Sequence, residues 1–203
     1  VKVENICGLV VAGGASRRMG NDDKLWLKLG DEALIHRAIR RLNDHVNQVI
    51  VNANDTSGLE PYVTIPDVIE GGQGPLAGIL SGLEHAQERS PHITHIASVP
   101  ADAPFSPIDL VDKMQNAGSA SEIIVPFVGG FSQQLFALWP ISCAAHLRRF
   151  LMSGENGKVM NFIRSQDWQK LELPDEFEEQ FINVNTPQDW IRAKQMFESD
   201  RYE

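Results

Sequence analysis

The sequence predicts an α/β fold, a three-layer Rossmann-like arrangement around a mainly parallel mixed sheet. Three observations carry that prediction. Short apolar runs such as ICGLVVA (6–12) lack polar alternation and are too short for typical helices, so they read as strands covered on both faces. Segments with helical spacing follow them. The alternation then persists over about 125 residues, the pattern of parallel strands joined by helical crossovers. The chain is expected to form a single domain over 1–203.

In order, 6–12 is the first strand. In DEALIHRAIRRLNDH, Leu34, Ile35, Ala38, Ile39 and Leu42 recur at helical spacing, with Arg37, Arg40 and Arg41 expected on the outer side. QVIVNAN is a second strand, broken at Asn52, Asn54 and Asp55, and GPLAGILSGLEHAQER is a helix opened by Pro75. HITHIASV is a third strand, ending at Pro100-Ala101-Asp102-Ala103-Pro104. SPIDLVDKMQNA reads as a helix capped by Ser106, and EIIVPF as a fourth strand. Beyond it, QQLFALWP and WQKLEL are strand candidates, CAAHLRRFLM and KVMNFIRSQ short helices, and a last helix starts near Thr186-Pro187. The stretch 172–189 holds six acidic residues and no basic one, and reads as a solvated loop.

The 18 basic and 27 acidic side chains leave a net charge of −9, which argues against nucleic-acid binding. Cys7 and Cys143 form no disulfide framework and no zinc spacing, which fits the reducing cytosol. No apolar run reaches the ~18 residues of a membrane span, and the first strand begins too early to leave room for a signal peptide. A soluble cytoplasmic protein is expected. His92 and His95, three apart on an extended segment, face opposite sides and read as no metal pair.

Against that acidic background, LVVAGGASRRMGNDDKL (9–25) stands out. Gly13 and Gly14 allow a sharp turn and a close backbone approach, and Arg17, Arg18 and Lys24 place three cations just behind them. The spacing is neither a Walker A loop nor the G-x-G-x-x-G fingerprint. Alone, it leaves open a phosphate cradle or a turn with surface arginines. Asp102 similarly reads as a metal ligand or as a turn-former between two prolines. Ligands of such sheets bind beyond the carboxyl ends of the strands, where the glycine loop, Asn52 and Asp102 all fall.

AGGASRRMGNDDK resembles the signature A-G-G-x-S-x-R-M-G, followed shortly by a lysine, of the nucleotidyltransferases related to molybdenum cofactor guanylyltransferase. The resemblance continues through VNAN, IPDV, GPLAG, VPADAPF and NVNTPQDW. It implies a nucleotidyltransferase fold and transfer of GMP from GTP to the terminal phosphate of molybdopterin carrying molybdenum, with Mg2+. By the same resemblance, Val11, Ala12, Gly13 and Gly14 line the nucleotide, and Arg18 and Lys24 contact its phosphates. Asn52 and Asp67 touch the nucleoside, Asp102 holds the metal, and Asn183 and Asn185 lie towards the acceptor. Molybdenum-insertion proteins or apo-molybdoenzymes are the implied protein partners.

The chain departs from the family pattern at Ala103, where threonine is usual, at Val11, at Ala33-Leu34 and at SQQLFAL. The alternatives weighed are a relative using CTP or another phosphorylated acceptor, and a non-catalytic nucleotide-binding subunit that presents the cofactor. Ala12-Gly13-Gly14 and Asn183-Val184-Asn185 favour the guanylyl branch over the A-A-G and D-x-D usual for cytidylyl transfer.

Overall fold

The computed structural model describes residues 3–13, 24–69, 74–154 and 158–199. In chain order they form β1 (Val3–Val11), β2 (Lys28–Leu29), β3 (Glu32–Ala33), α1 (Leu34–Asn43), β4 (Val46–Asn52), β5 (Val63–Ile65), α2 (Pro75–Arg89) and β6 (His95–Pro100). Then come α3 (Leu110–Gln115), β7 (Ile123–Val128), β8 (Phe131–Ser132), β9 (Leu138–Pro140), α4 (Ala144–Met152), α5 (Val159–Arg164), β10 (Trp168–Glu172) and α6 (Pro187–Glu198).

The main sheet runs β10-β7-β9-β6-β1-β4-β5, with β8 paired to β7. Strands β6, β1, β4 and β5 are mutually parallel, as are β7 and β10, whereas β9 runs against both β6 and β7. The mixed but mainly parallel sheet of the sequence reading is borne out.

β1 is buried on both faces, and its side chains alternate between them as a strand requires. Ile6 and Val10 join Ala38, Ile39 and Leu42 of α1 and Met114 of α3 on one side. Cys7, Leu9 and Val11 join α2, α4 and α5 on the other. Each fully buried Leu, Ile or Val contributes roughly 1.5–3 kcal/mol, so this double-sided burial dominates the stability of the three layers. Burial also pushes the Cys7 and Cys143 thiols up to about 12, which leaves them inert as nucleophiles.

The crossover after β1 passes through α1 to β4 on one flank, and the chain then returns through α2 to β6 on the other flank. The direction of strand order therefore reverses at β1, which opens a crevice at its carboxyl end. Register makes that end level: Val11 pairs with both Asn52 and Pro100.

Three expectations need correction. Arg37 and Arg41 are buried, at 4% and 5% exposure, instead of facing outward. α1 has a second covered side, because the loop after β6 and helix α6 pack over it with Leu34, Phe105, Ala193 and Met196. Carbonyls in that loop need donors, and the arginines supply them: Arg37 Nε donates to Pro104 O at 3.1 Å and Arg41 Nε to Ser106 O at 2.9 Å. Burial, followed by the charges of Arg37 and Arg40, pushes Arg41 down to about 10, still well above neutrality.

Ser106 does not cap α3. That helix starts at Leu110 behind Asp109, whose side chain makes no capping bond, and Ser106 instead lies buried in the loop that precedes it. The acidic stretch 172–189 is not simply a solvated loop. It holds a 3-10 helix at Asp175–Phe181 and anchors itself through buried Phe181 and Val184. His92 stays exposed in a turn, while His95 is bonded to Thr94 Oγ1 and Ala120 O.

Candidate active site

Two polar clusters flank the end of β1. The first lies at the rim of β4. Asn52 is 1% exposed, and its Nδ2 donates to Asp67 Oδ1 at 2.9 Å and to Ile65 O at 3.3 Å. Its Oδ1 is buried with no hydrogen-bond partner among the described residues. A buried polar atom without a partner costs about 1–3 kcal/mol, so this oxygen is poised to accept from a ligand.

Glycines make room for that side chain. A Cβ on Gly78, in the second turn of α2, would stand 2.1 Å from Asn52 Oδ1, and one on Gly13 would stand 3.0 Å away. Gly13 would also meet both Asp67 carboxylate oxygens at 3.6 Å. The sequence groups Gly78 within GPLAG without giving it a role. Its use emerges only when α2 is seen to cross the end of β4. Val11 and Ala12 lead into this corner by backbone bonds, Ala12 N to Asn52 O at 2.9 Å and Ala101 N to Val11 O at 3.0 Å.

The second cluster lies at the rim of β6. Lys24 Nζ donates to Asp102 Oδ2 at 2.6 Å and to Asn185 Oδ1 at 2.7 Å. Lys24 is 4% and Asp102 7% exposed, so both charges are held away from bulk water and satisfied by each other. Val184 N donates to Asp102 O at 2.9 Å, which staples the segment before α6 onto the loop after β6.

The motif NVNTPQDW divides by role. Thr186 and Asp189 form a reciprocal capping box on α6, and Pro187 occupies its first turn. Burial opposes ionisation of Asp189, yet hydrogen bonds from Thr186 and Asn185 keep its carboxyl below the ordinary value. Val184 points into the core, leaving Asn183 and Asn185 on the other side of an extended segment. Asn183 Nδ2 reaches only Phe181 O at 3.4 Å, and its Oδ1 is buried without a partner among the described residues.

The structure thus brings Lys24, Asp102 and Asn185 together, and separately Asn52, Asp67 and Gly13. Gly14 and Arg18 lie outside the described residues.

Among the described residues no three His, Cys, Asp or Glu side chains converge. Asp102 and Asn185 do present hard oxygen donors to one cation, the Lys24 ammonium. One carboxylate plus substrate oxygens is the usual complement of a magnesium-type ion, so the residues fit such a group.

Residues 8–171 match the family model described as the MobA-like NTP transferase domain. A molybdenum cofactor guanylyltransferase from Rhizobium johnstonii is 35% identical over 203 residues, covering 97% of this chain and 95% of that protein. The chain belongs to the MobA-like NTP transferase family. As a member of it, the chain is a nucleotidyltransferase, and the family resemblance read from AGGASRRMGNDDK is borne out.

Solved structures show the same fold. Molybdopterin-guanine dinucleotide biosynthesis protein A from Archaeoglobus fulgidus superposes with a TM-score of 0.75 at 22% identity, covering 95% of this chain and 99% of that one. A Mycobacterium tuberculosis protein, solved in complex with manganese, superposes at 0.70 with 17% identity and coverage of 94% and 98%. The MobA-like match ends at residue 171, ahead of the segment that carries Asn185 to Lys24.

Proposed function

We propose that the chain transfers GMP from GTP to the terminal phosphate of molybdopterin carrying molybdenum, releasing pyrophosphate, with Mg2+ as its divalent ion. The observation that carries this reading is the Lys24–Asp102–Asn185 cluster beside the Asn52–Asp67 pair. β6 and β4 flank β1, so the two clusters sit two strand spacings apart, about 10 Å. A nucleotide laid across the end of β1 would place its nucleoside towards Asn52 and its phosphates towards Lys24.

The acceptor oxygen forms the new bond at the α-phosphorus. The bond to the β-phosphate oxygen breaks, and its electron pair leaves with pyrophosphate. The attacking phosphate is already ionised at neutral pH, so the protein need supply neither base nor nucleophile. Asp102, joined by substrate oxygens, would hold Mg2+, and that ion when bound supplies charge neutralisation at the α-phosphate. Lys24 and Arg18 hold the departing phosphates, Arg18 as a fork and Lys24 as a mobile point charge. Val11, Ala12, Gly13 and Gly14 bring backbone against the nucleotide, and Asn183 and Asn185 border the acceptor. The manganese complex of the Mycobacterium tuberculosis neighbour supports a divalent ion.

The substrates fix the other partners: hand-over to molybdenum-insertion proteins or apo-molybdoenzymes fits the product. Two unpaired cysteines fit the cytosol, and among the described residues no helix is long and apolar enough to cross a membrane. We read 1–203 as one domain.

Pyrophosphate release is expected from Mg-GTP plus molybdenum-loaded molybdopterin, at least tenfold faster than with Mg-CTP. Faster turnover of CTP would overturn the guanylyl assignment, and no release with either would favour a cofactor-presenting role. Gly78→Ala provides a test of the nucleoside end. The added methyl must displace Asn52, so GTP affinity should fall about tenfold, or ~1.4 kcal/mol, with stability lowered by about 1–3 kcal/mol as the buried side chain shifts. Calorimetric titration showing wild-type affinity would take Asn52 out of the site.

A further inference from the structure

We propose that Arg37, which lies outside the family motifs, is a positioning residue for the reaction: it locks together the two arms that carry Asp102 and Asn185. The inference rests on the assignment of Asp102 as the metal carboxylate.

The first arm is the loop after β6. Arg37 Nε donates to Pro104 O at 3.1 Å, two residues beyond Asp102, and its guanidinium carbon lies 5.4 Å from the centroid of the Phe105 ring. The second arm is α6, whose N-terminus follows directly on Asn185. Phe197, near the other end of that helix, lies over the same guanidinium at 5.2 Å. Glu32 stands 3.7 Å from Arg37 Nη1. The guanidinium thus contacts Phe105 and Phe197 while holding a carbonyl of the loop. Arg41, one turn further along α1, holds Ser106 O at 2.9 Å and fixes the far end of the same loop.

The arms need such a lock. Asp102 and Asn185 are brought to one ammonium from elements far apart in sequence, and among the described residues their segments are joined by the backbone bond from Val184 N to Asp102 O and by the packing of Phe105 with Val184, Ala193 and Met196. Rotation of α6 or a shift at Pro104 would separate the two oxygens while leaving the sheet intact. Arginine suits the position better than lysine. Its planar fork stacks on rings and donates in-plane at once, whereas an ammonium can do only one of these well.

The test compares Arg37→Lys, Arg37→Met and Phe197→Leu with wild type and with Asp102→Asn. Mn2+ binding is followed by paramagnetic resonance with a non-hydrolysable GTP analogue present, alongside steady-state kinetics and thermal unfolding. Arg37→Met should weaken Mn2+ about tenfold and lower kcat by a similar factor, with the KM for GTP changing less than threefold. Phe197→Leu, which keeps the Pro104 bond, should weaken Mn2+ about threefold, and Arg37→Lys should recover part of the loss. Wild-type Mn2+ affinity and kcat in folded Arg37→Lys and Phe197→Leu would overturn the proposal. So would losses that follow only the fraction of protein unfolded. If Asp102→Asn itself leaves Mn2+ binding unchanged, the metal assignment fails instead, and the two failures are told apart.

Discussion

Asp102→Asn is expected to lower the rate of guanylyl transfer by about 10²–10³-fold, the loss typical of removing one group that stabilises developing charge. The asparagine is the same size, so the loop after β6 keeps its shape and Val184 keeps its acceptor in Asp102 O. What is lost is the negative charge beside Lys24, whose ammonium is buried and lies 2.6 Å from the carboxylate. Removing one member of a buried pair leaves the other uncompensated, so stability should also fall by about 3 kcal/mol. Single-turnover pyrophosphate release and chemical denaturation read the two effects separately. A variant that retains wild-type turnover would show that the carboxylate serves the fold alone.

Lys24→Met should produce a loss of similar size, about 10²-fold or more in kcat, together with an opposite effect on metal. The ammonium already sits on Asp102 Oδ2 and Asn185 Oδ1. A divalent ion seeking those oxygens must displace it or bind against its charge, and like charges at contact distance repel by several kcal/mol at intermediate dielectric. Methionine fills the volume without the charge. Mn2+ should therefore bind the nucleotide-free variant about tenfold more tightly than wild type, even though catalysis is crippled. Weaker or unchanged Mn2+ binding would mean that lysine and metal do not compete for those oxygens. Unchanged turnover would take Lys24 out of the path of the phosphates.

Much of this architecture was legible because it rests on local pattern. β1, α1, β4, α2 and β6 each carry a clear apolar period, and glycine and proline punctuate them where the chain turns. β5 was missed: it is three residues long, and Val63 is exposed, so burial leaves little trace in its composition. The reversal of β9 was also invisible, since a strand reads the same in either direction. The outward placement of Arg37 and Arg41 failed because periodicity reports apolar faces, and their side of α1 is covered by a loop whose carbonyls demand donors.

At the site, the residue types were readable but their pairing was not. Lys24 meets Asp102 across 78 positions and Asn185 across 161, distances set by topology alone. The terminal motif carried a second ambiguity, because a capping box and a pair of site-facing asparagines occupy one short string.

The reversed strand β9 also bears on how such an enzyme could change clients. Since β6 and β7 both run against β9, the hairpin between Val128 and Leu138 emerges at the same rim as Asp102, and its backbone is tied to β6 at its far end, where Ala137 O accepts from Ser98 N. Doubling the length of a flexible loop adds only about 0.6 kcal/mol of closure entropy. Insertions there would alter the rim beside Asp102 while the parallel ladder that carries Asn52 keeps its shape.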